Sequence, residues 1–186
     1  MIKVKISGLK GKLLSIEDYK ALLESGYNFA SLLCKYPKYE YVNEEVFTPS
    51  SRANLQNNLY ISLVDDINIL CKAYPRFKFL DLFKLKADVI LQQKSNYKLY
   101  LDKYYYDGIH KFGNIPKLKK LLKKEKEESD HNLKKIYKNF ALFSDHPIFT
   151  VANYVFSKEM EIKNIITTIE VITYKKDLEY LLQRII

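Results

Sequence analysis

Lys158, Glu159, Glu161, Lys163 and Asn164 place two bases, two acids and an amide in a stretch that is otherwise apolar. The chemistry such a set supports is ion pairing. At about 100° per residue, Ile148, Val151, Ala152, Val155, Ile162, Ile166 and Ile169 form one helical stripe, and Glu159 falls inside it. A lone carboxylate on a core-facing stripe costs several kcal/mol unless it is paired, so the position predicts a partner or a lining role. Lys163 is the expected partner, four residues on in the favourable acid-before-base order. The plain structural reading of the pair is a helix-surface ion pair at the edge of a core.

Other chemistries need groups that this sequence does not bring together. Catalysis calls for a nucleophile beside a base, a metal cluster or a glycine-rich phosphate loop. His110, His131 and His146 are the only histidines, and none stands four residues from another, as in a zinc-binding helix. Gly8-Leu9-Lys10-Gly11-Lys12 lacks the spacing and the terminal Lys-Ser/Thr of a phosphate loop. Cys34 and Cys71 lie in apolar contexts without a second thiol at ligand spacing, which predicts small buried residues in a reducing compartment and no disulfide. The expectation is a protein with no catalytic residue, metal or cofactor.

Charge points to partners instead. The chain carries 31 basic residues, a net charge of +9 and 16 tyrosines, a surface suited to phosphate, anionic lipid or acidic protein. A composition rich in Lys, Tyr, Ile and Asn and free of Trp is also what an AT-rich genome produces. Lys117, Lys119, Lys120, Lys123 and Lys124 alternate with Leu118, Leu121 and Leu122, so the leucines should join the core while the lysines form a solvated or membrane-proximal face. With Tyr104, Tyr105 and Tyr106 as stacking faces, the same stretch supports an alternative reading as a basic helical nucleic-acid-binding module, although no recognisable binding module accompanies it.

The elements that must position these residues are helices. A chain of 186 residues with 47% hydrophobic content, five glycines and five prolines can bury one sizeable core with few tight turns. No run approaches the roughly 20 apolar residues that span a bilayer. The alternating start Met1-Ile2-Lys3-Val4-Lys5-Ile6 differs from a signal peptide, so a soluble, cytosolic protein is expected. That start is also the only strand-like stretch, with nothing to pair with. Ser15 followed by Asp18 reads as a capping box for a short helix to about Ser25. Gly26 interrupts, and Phe29, Leu32 and Leu33 suggest a second short helix ended by Pro37. An irregular connector occupies residues 36–49. Ser50 and Ser51 cap a longer helix carrying Leu55, Leu59, Leu63, Ile67 and Leu70, stopped by Pro75. Residues 77–93 are apolar nearly all round, which predicts the central helix. Asn96 caps the next, and Pro116 opens the basic helix, whose continuation carries Leu133, Ile136 and Phe140. After the Asp145-His146-Pro147 turn a long helix holds the charged segment to around Tyr174, and a last short helix follows. The reading is all α: about eight helices in a single domain, residues 1–186.

At this point the sequence resembles a known family, subunit d of the eukaryotic vacuolar-type (V-type) proton ATPase, which has a counterpart in the related archaeal and bacterial enzymes. Lys158-Glu159-Met160-Glu161-Ile162-Lys163-Asn164-Ile165 looks like the Lys-Glu-x-Glu-x-basic-Asn-apolar segment in that family's last long helix. Gly8-Leu9-Lys10 through Leu13-Leu14 and Tyr19 is similar to its N-terminal start. Phe79-Leu80-Asp81, Asp88-Val89-Ile90-Leu91 and Glu128-Ser129-Asp130 fall in matching order. Family members are longer, and the chain is short of them between about Lys94 and Leu118. The resemblance implies a funnel-like stack of helices on the cytoplasmic side of a vacuolar or other endomembrane, or of the plasma membrane in a prokaryote. Its implied partners are the proteolipid ring and the central-stalk subunits, with the stator membrane subunit as a further contact. The subunit would be a non-catalytic rotor coupling, with Glu159, Glu161, Lys163 and Asn164 lining or bracing the socket and Lys117, Lys119, Lys120, Lys123 and Lys124 on the membrane side.

Overall fold

The computed structural model describes residues 2–40, 52–91, 97–115 and 117–185. Among them lie ten α-helices and no strand: α1 (Ile2–Lys10), α2 (Ile16–Glu24), α3 (Phe29–Leu33), α4 (Arg52–Ala73), α5 (Leu80–Leu91), α6 (Tyr97–Phe112), α7 (Leu118–Glu127), α8 (Asp130–Phe143), α9 (Pro147–Thr173) and α10 (Leu178–Leu182). The caps expected at Ser50, Ser51 and Asn96, the opening proline Pro116 and most of the 36–49 connector lie outside the described residues.

The alternating start folds as a helix rather than a strand because Ile2, Ile6 and Leu9 recur at helical spacing and are all buried, while Val4 is 74% exposed. The capping box forms as read: Ser15 Oγ accepts the Asp18 N–H at 3.2 Å, and the Asp18 carboxylate accepts the Ser15 N–H at 2.7 Å. Gly26 then turns the chain at φ +52°, a conformation that favours glycine, into a single 3₁₀ turn before α3. The basic helix does not continue through residue 128 as expected. Glu128 and Ser129 take extended backbone angles, and α8 starts afresh at Asp130.

Contacts gather into two compact units, each drawn from two stretches of chain. The first comprises residues 1–11 and 63–157, the second residues 12–62 and 158–186, so α4 and α9 contribute to both. In the first unit α5, α6, α7 and α8 each pack on the next. Gly108 allows this on α6, where a methyl group would stand 2.5 Å from Leu122 Cδ1 and 3.5 Å from Leu82. Tyr137 of α8 stacks on Phe156 of α9 with ring centres 4.6 Å apart, and Phe140 on Phe149 at 5.4 Å. In the second unit α2 and α3 pack together, and the core includes Tyr19, Leu22, Phe29, Leu33, Leu59, Ile162, Ile165 and Leu181.

The helix buried almost all round is α9, not α5. Around α9, every residue from 158 to 165 except Lys163 is buried, together with Ile148, Phe149, Val151, Ala152, Tyr154, Val155 and Phe156. On α5, Asp81 and Lys84 are exposed, and its described side chains are buried along one face. Apolar composition alone pointed to residues 77–93, but a helix can also be enclosed when its polar side chains are neutralised internally.

Candidate functional site

The charged segment of α9 is the centre of a sealed polar cluster in the second unit. Lys158 and Glu161 stand three residues apart, so they share one side of the helix. Lys158 Nζ lies 2.5 Å from Glu161 Oε1, with side-chain exposures of 0% and 3%. Tyr39, brought in from the turns that follow α3, completes a triangle. Its hydroxyl accepts from Lys158 Nζ at 2.6 Å and donates to Glu161 Oε1, while the ammonium sits 4.3 Å from the centre of its ring. The second carboxylate oxygen, Oε2, accepts the Leu14 N–H at 2.6 Å.

Asn164 extends the cluster by hydrogen-bonding the Tyr19 side chain of α2. Burial, and then the nearby Glu161 charge, push the Tyr19 hydroxyl far above the ordinary tyrosine range, with the Asn164 contact opposing them. The arrangement ties three pieces of the second unit together: the segment leading into α2, the turns after α3, and α9. One positive and one negative charge balance within it, and both carboxylate oxygens are occupied. A buried pair of this kind contributes little compared with an apolar replacement. Losing one partner, by contrast, is expensive, at about 3–5 kcal/mol.

The structure therefore divides the residues that sequence brought forward. Glu161 and Asn164 are buried in the cluster. Glu159 is buried at 8% exposure, roughly 200° around the helix from Glu161, and Lys163 is exposed. The segment also holds a buried ion pair that the spacing of Glu159 and Lys163 did not point to, Lys158–Glu161.

A second cluster repeats the chemistry in the first unit. Lys86 Nζ of α5 donates to Glu125 Oε1 of α7 at 2.6 Å, and Tyr104 of α6 donates its hydroxyl to Glu125 Oε2 at 3.0 Å. The ammonium lies 5.7 Å from the Tyr104 ring centre. Sequence reasoning missed it, yet a signal was present. Glu125 lies three, four and seven residues after Leu122, Leu121 and Leu118, so it belongs to the leucine side of α7. A further buried contact joins the Tyr154 hydroxyl of α9 to the Asp66 carboxylate of α4 within the first unit.

On α7, Leu118, Leu121 and Leu122 are buried, whereas Lys117 just before it and Lys119, Lys120 and Lys123 are exposed and Lys124 is half-buried. Two loose pairs, Lys123–Glu127 at 3.9 Å and Lys124–Glu128 at 3.8 Å, neutralise part of this face. Tyr104, Tyr105 and Tyr106 do not form a common stacking surface: Tyr104 is buried, Tyr105 half-buried and Tyr106 60% exposed. Cys34 and Cys71 are half-buried thiols that form no disulfide. Among the described residues no group of His, Cys, Asp and Glu could hold a metal ion, and no helix is long and apolar enough to cross a membrane.

The fold and its clusters define an all-helical protein with internally neutralised lysine–glutamate–tyrosine ties. No family model, known protein or solved structure matches the chain.

Proposed function

We propose that this chain is a non-catalytic mechanical adaptor, the rotor subunit that joins the central stalk to the proteolipid ring of a V-type proton ATPase on the cytoplasmic side of its membrane. The observation that carries the reading is the fate of the segment 158–165, the part of the sequence most like subunit d. Lys158 and Glu161 are spent on holding α9 to Tyr39 and to the segment at Leu14, as a part that transmits torque without bending requires. In this reading Glu161 and Asn164 brace the socket and Glu159 lies at its wall. Lys163 reaches toward the partner, and the lysines of α7 face the membrane side. The burial of Tyr104 weighs against the nucleic-acid reading, since it removes one of the three proposed stacking faces.

Gentle detergent extraction of membranes, followed by identification of the co-purifying chains, tests this directly. Proteolipid and stalk subunits should travel with the protein. Recovery of the protein alone, or its release by nuclease, would overturn the reading.

A further inference from the structure

The end of α8 carries an exposed apolar pair that no packing within its unit explains. Leu142 is 65% exposed and Phe143 76%, two large apolar side chains consecutive at the end of the helix. Their surroundings are basic. His131, Lys135, Lys138 and Leu142 follow one another at spacings of four, three and four residues, which sets them along one side of α8, and all four are exposed. On the other flank, Lys117 lies against the end of the helix, its Nζ 3.4 Å from the Phe143 carbonyl oxygen. Lys134 of α8 and Lys119 and Lys120 of α7 are also exposed. Glu125 of the hairpin is held by Lys86 and Tyr104, and its other acids, Glu127, Glu128 and Asp130, lie at the opposite end, leaving Asp145 as the carboxylate nearest the apolar pair in sequence.

Apolar tips flanked by lysines match the layered chemistry of an anionic membrane surface, with acyl chains below and phosphate and carboxylate groups above. A nucleic acid would use the lysines but has no place for Leu142. A single tightly held phosphate is also disfavoured, because the first amides of α9 beside this end are already taken. The Ile148 N–H is bound by His146 Nδ1 and the Phe149 N–H by the His146 carbonyl, each at 3.2 Å. We infer that the α7–α8 hairpin docks on anionic lipid, with Leu142 and Phe143 entering the headgroup boundary and Lys117, Lys135 and Lys138 pairing with acidic headgroups. The rotor reading places only the α7 lysines toward the membrane; the apolar pair and the lysines of α8 go beyond it, and the surface is tested apart from it.

The chain contains no tryptophan, so Phe143→Trp supplies a unique fluorescent probe at an exposed position. Titrated with phosphatidylserine-containing vesicles, that variant should show a blue shift that phosphatidylcholine vesicles do not produce and that high salt reverses. In co-sedimentation of the otherwise native chain, Leu142→Ser with Phe143→Ser should weaken vesicle binding by at least about tenfold. Lys135→Glu with Lys138→Glu should abolish the preference for anionic lipid. Circular dichroism checks that each variant is folded. An unshifted spectrum, equal binding to neutral vesicles, undiminished binding of the serine variant, or displacement by RNA at lower concentration than by lipid would each overturn the inference. Vesicles contain no proteolipid ring, so failure here leaves the co-purification result to decide the rotor reading alone.

Discussion

Lys158 and Glu161 meet across one turn of α9 at 2.5 Å, in a place where neither side chain reaches solvent. Two charges withdrawn from water in this way hold each other, and Tyr39 holds both. The pair therefore resists the loss of either member more than it rewards the presence of both.

Lys158→Met and Glu161→Gln should each destabilise the protein by about 3–5 kcal/mol, because each leaves one buried charge without its counter-ion. The double variant should lose clearly less than the sum, with an interaction energy of about 1–3 kcal/mol. Urea unfolding of the four proteins measures this, and strict additivity would contradict the geometry.

In the first unit, Tyr104→Phe removes one hydrogen bond to Glu125 but leaves the 2.6 Å contact with Lys86 in place. Its expected cost is about 1–2 kcal/mol. Lys86→Met should cost more, about 3 kcal/mol, since Glu125 then keeps its charge in a nearly buried site. A reversed order in thermal unfolding would show that the hydroxyl, not the ammonium, satisfies Glu125.

Gly108→Ala trades a gain in helix propensity of about 1 kcal/mol for a contact 2.5 Å from Leu122 Cδ1. Overpacking of this size costs about 1–3 kcal/mol, so the net change should be a loss of stability. Because the obstructing atom is the end of a flexible side chain, Leu122→Ala should cost less in the Gly108→Ala protein than in the native one. Equal costs in the two backgrounds would mean that the helices separate instead of the leucine yielding.

Asp18 and Tyr36 share a 2.8 Å hydrogen bond and predict opposite limbs of a pH profile. Burial disfavours the Asp18 charge, but the Ser15 amide, the Tyr36 hydroxyl and the Ser15 hydroxyl outweigh it and hold the carboxyl below its usual range. A depressed folded value means that this stabilisation is present above the unfolded pKa of about 3.9 and is lost as pH falls. The Tyr36 hydroxyl is pushed up to about 12 by burial and then by Asp18. A raised folded value means that its contribution is complete below the unfolded pKa of about 10 and fades as pH climbs through the folded one. Melting temperature should therefore fall at both ends, and Tyr36→Phe should flatten the alkaline limb. Ultraviolet titration of the native and Tyr36→Phe proteins gives the same answer independently.

The periodic parts of this fold were legible in the sequence. Local signals were enough for α2, whose cap lies within its own first turn, and for α7, whose leucines repeat at helical spacing. The start of the chain was ambiguous, because its alternation satisfies a strand pattern while Ile2, Ile6 and Leu9 satisfy a helical one equally well. The clusters were only half legible. Glu125 lies on the leucine side of α7, where a partner is needed, but the stripe of α9 singled out Glu159 and not Glu161; Tyr39 lies 122 residues from Glu161, and Lys86 lies 39 from Glu125. No periodicity within a helix reaches across such separations, so the pairing is a product of the tertiary fold.

The enclosure of α9 narrows what another molecule can read there. From residue 158 to 165 a single side chain, Lys163, reaches solvent. Any recognition of this stretch in the folded chain passes through one ammonium group at the tip of a flexible stem. A lysine-directed cross-linker or acetylating reagent should mark Lys163 and leave Lys158 untouched until the chain unfolds, turning one residue into a contact sensor and its neighbour into a clock for unfolding.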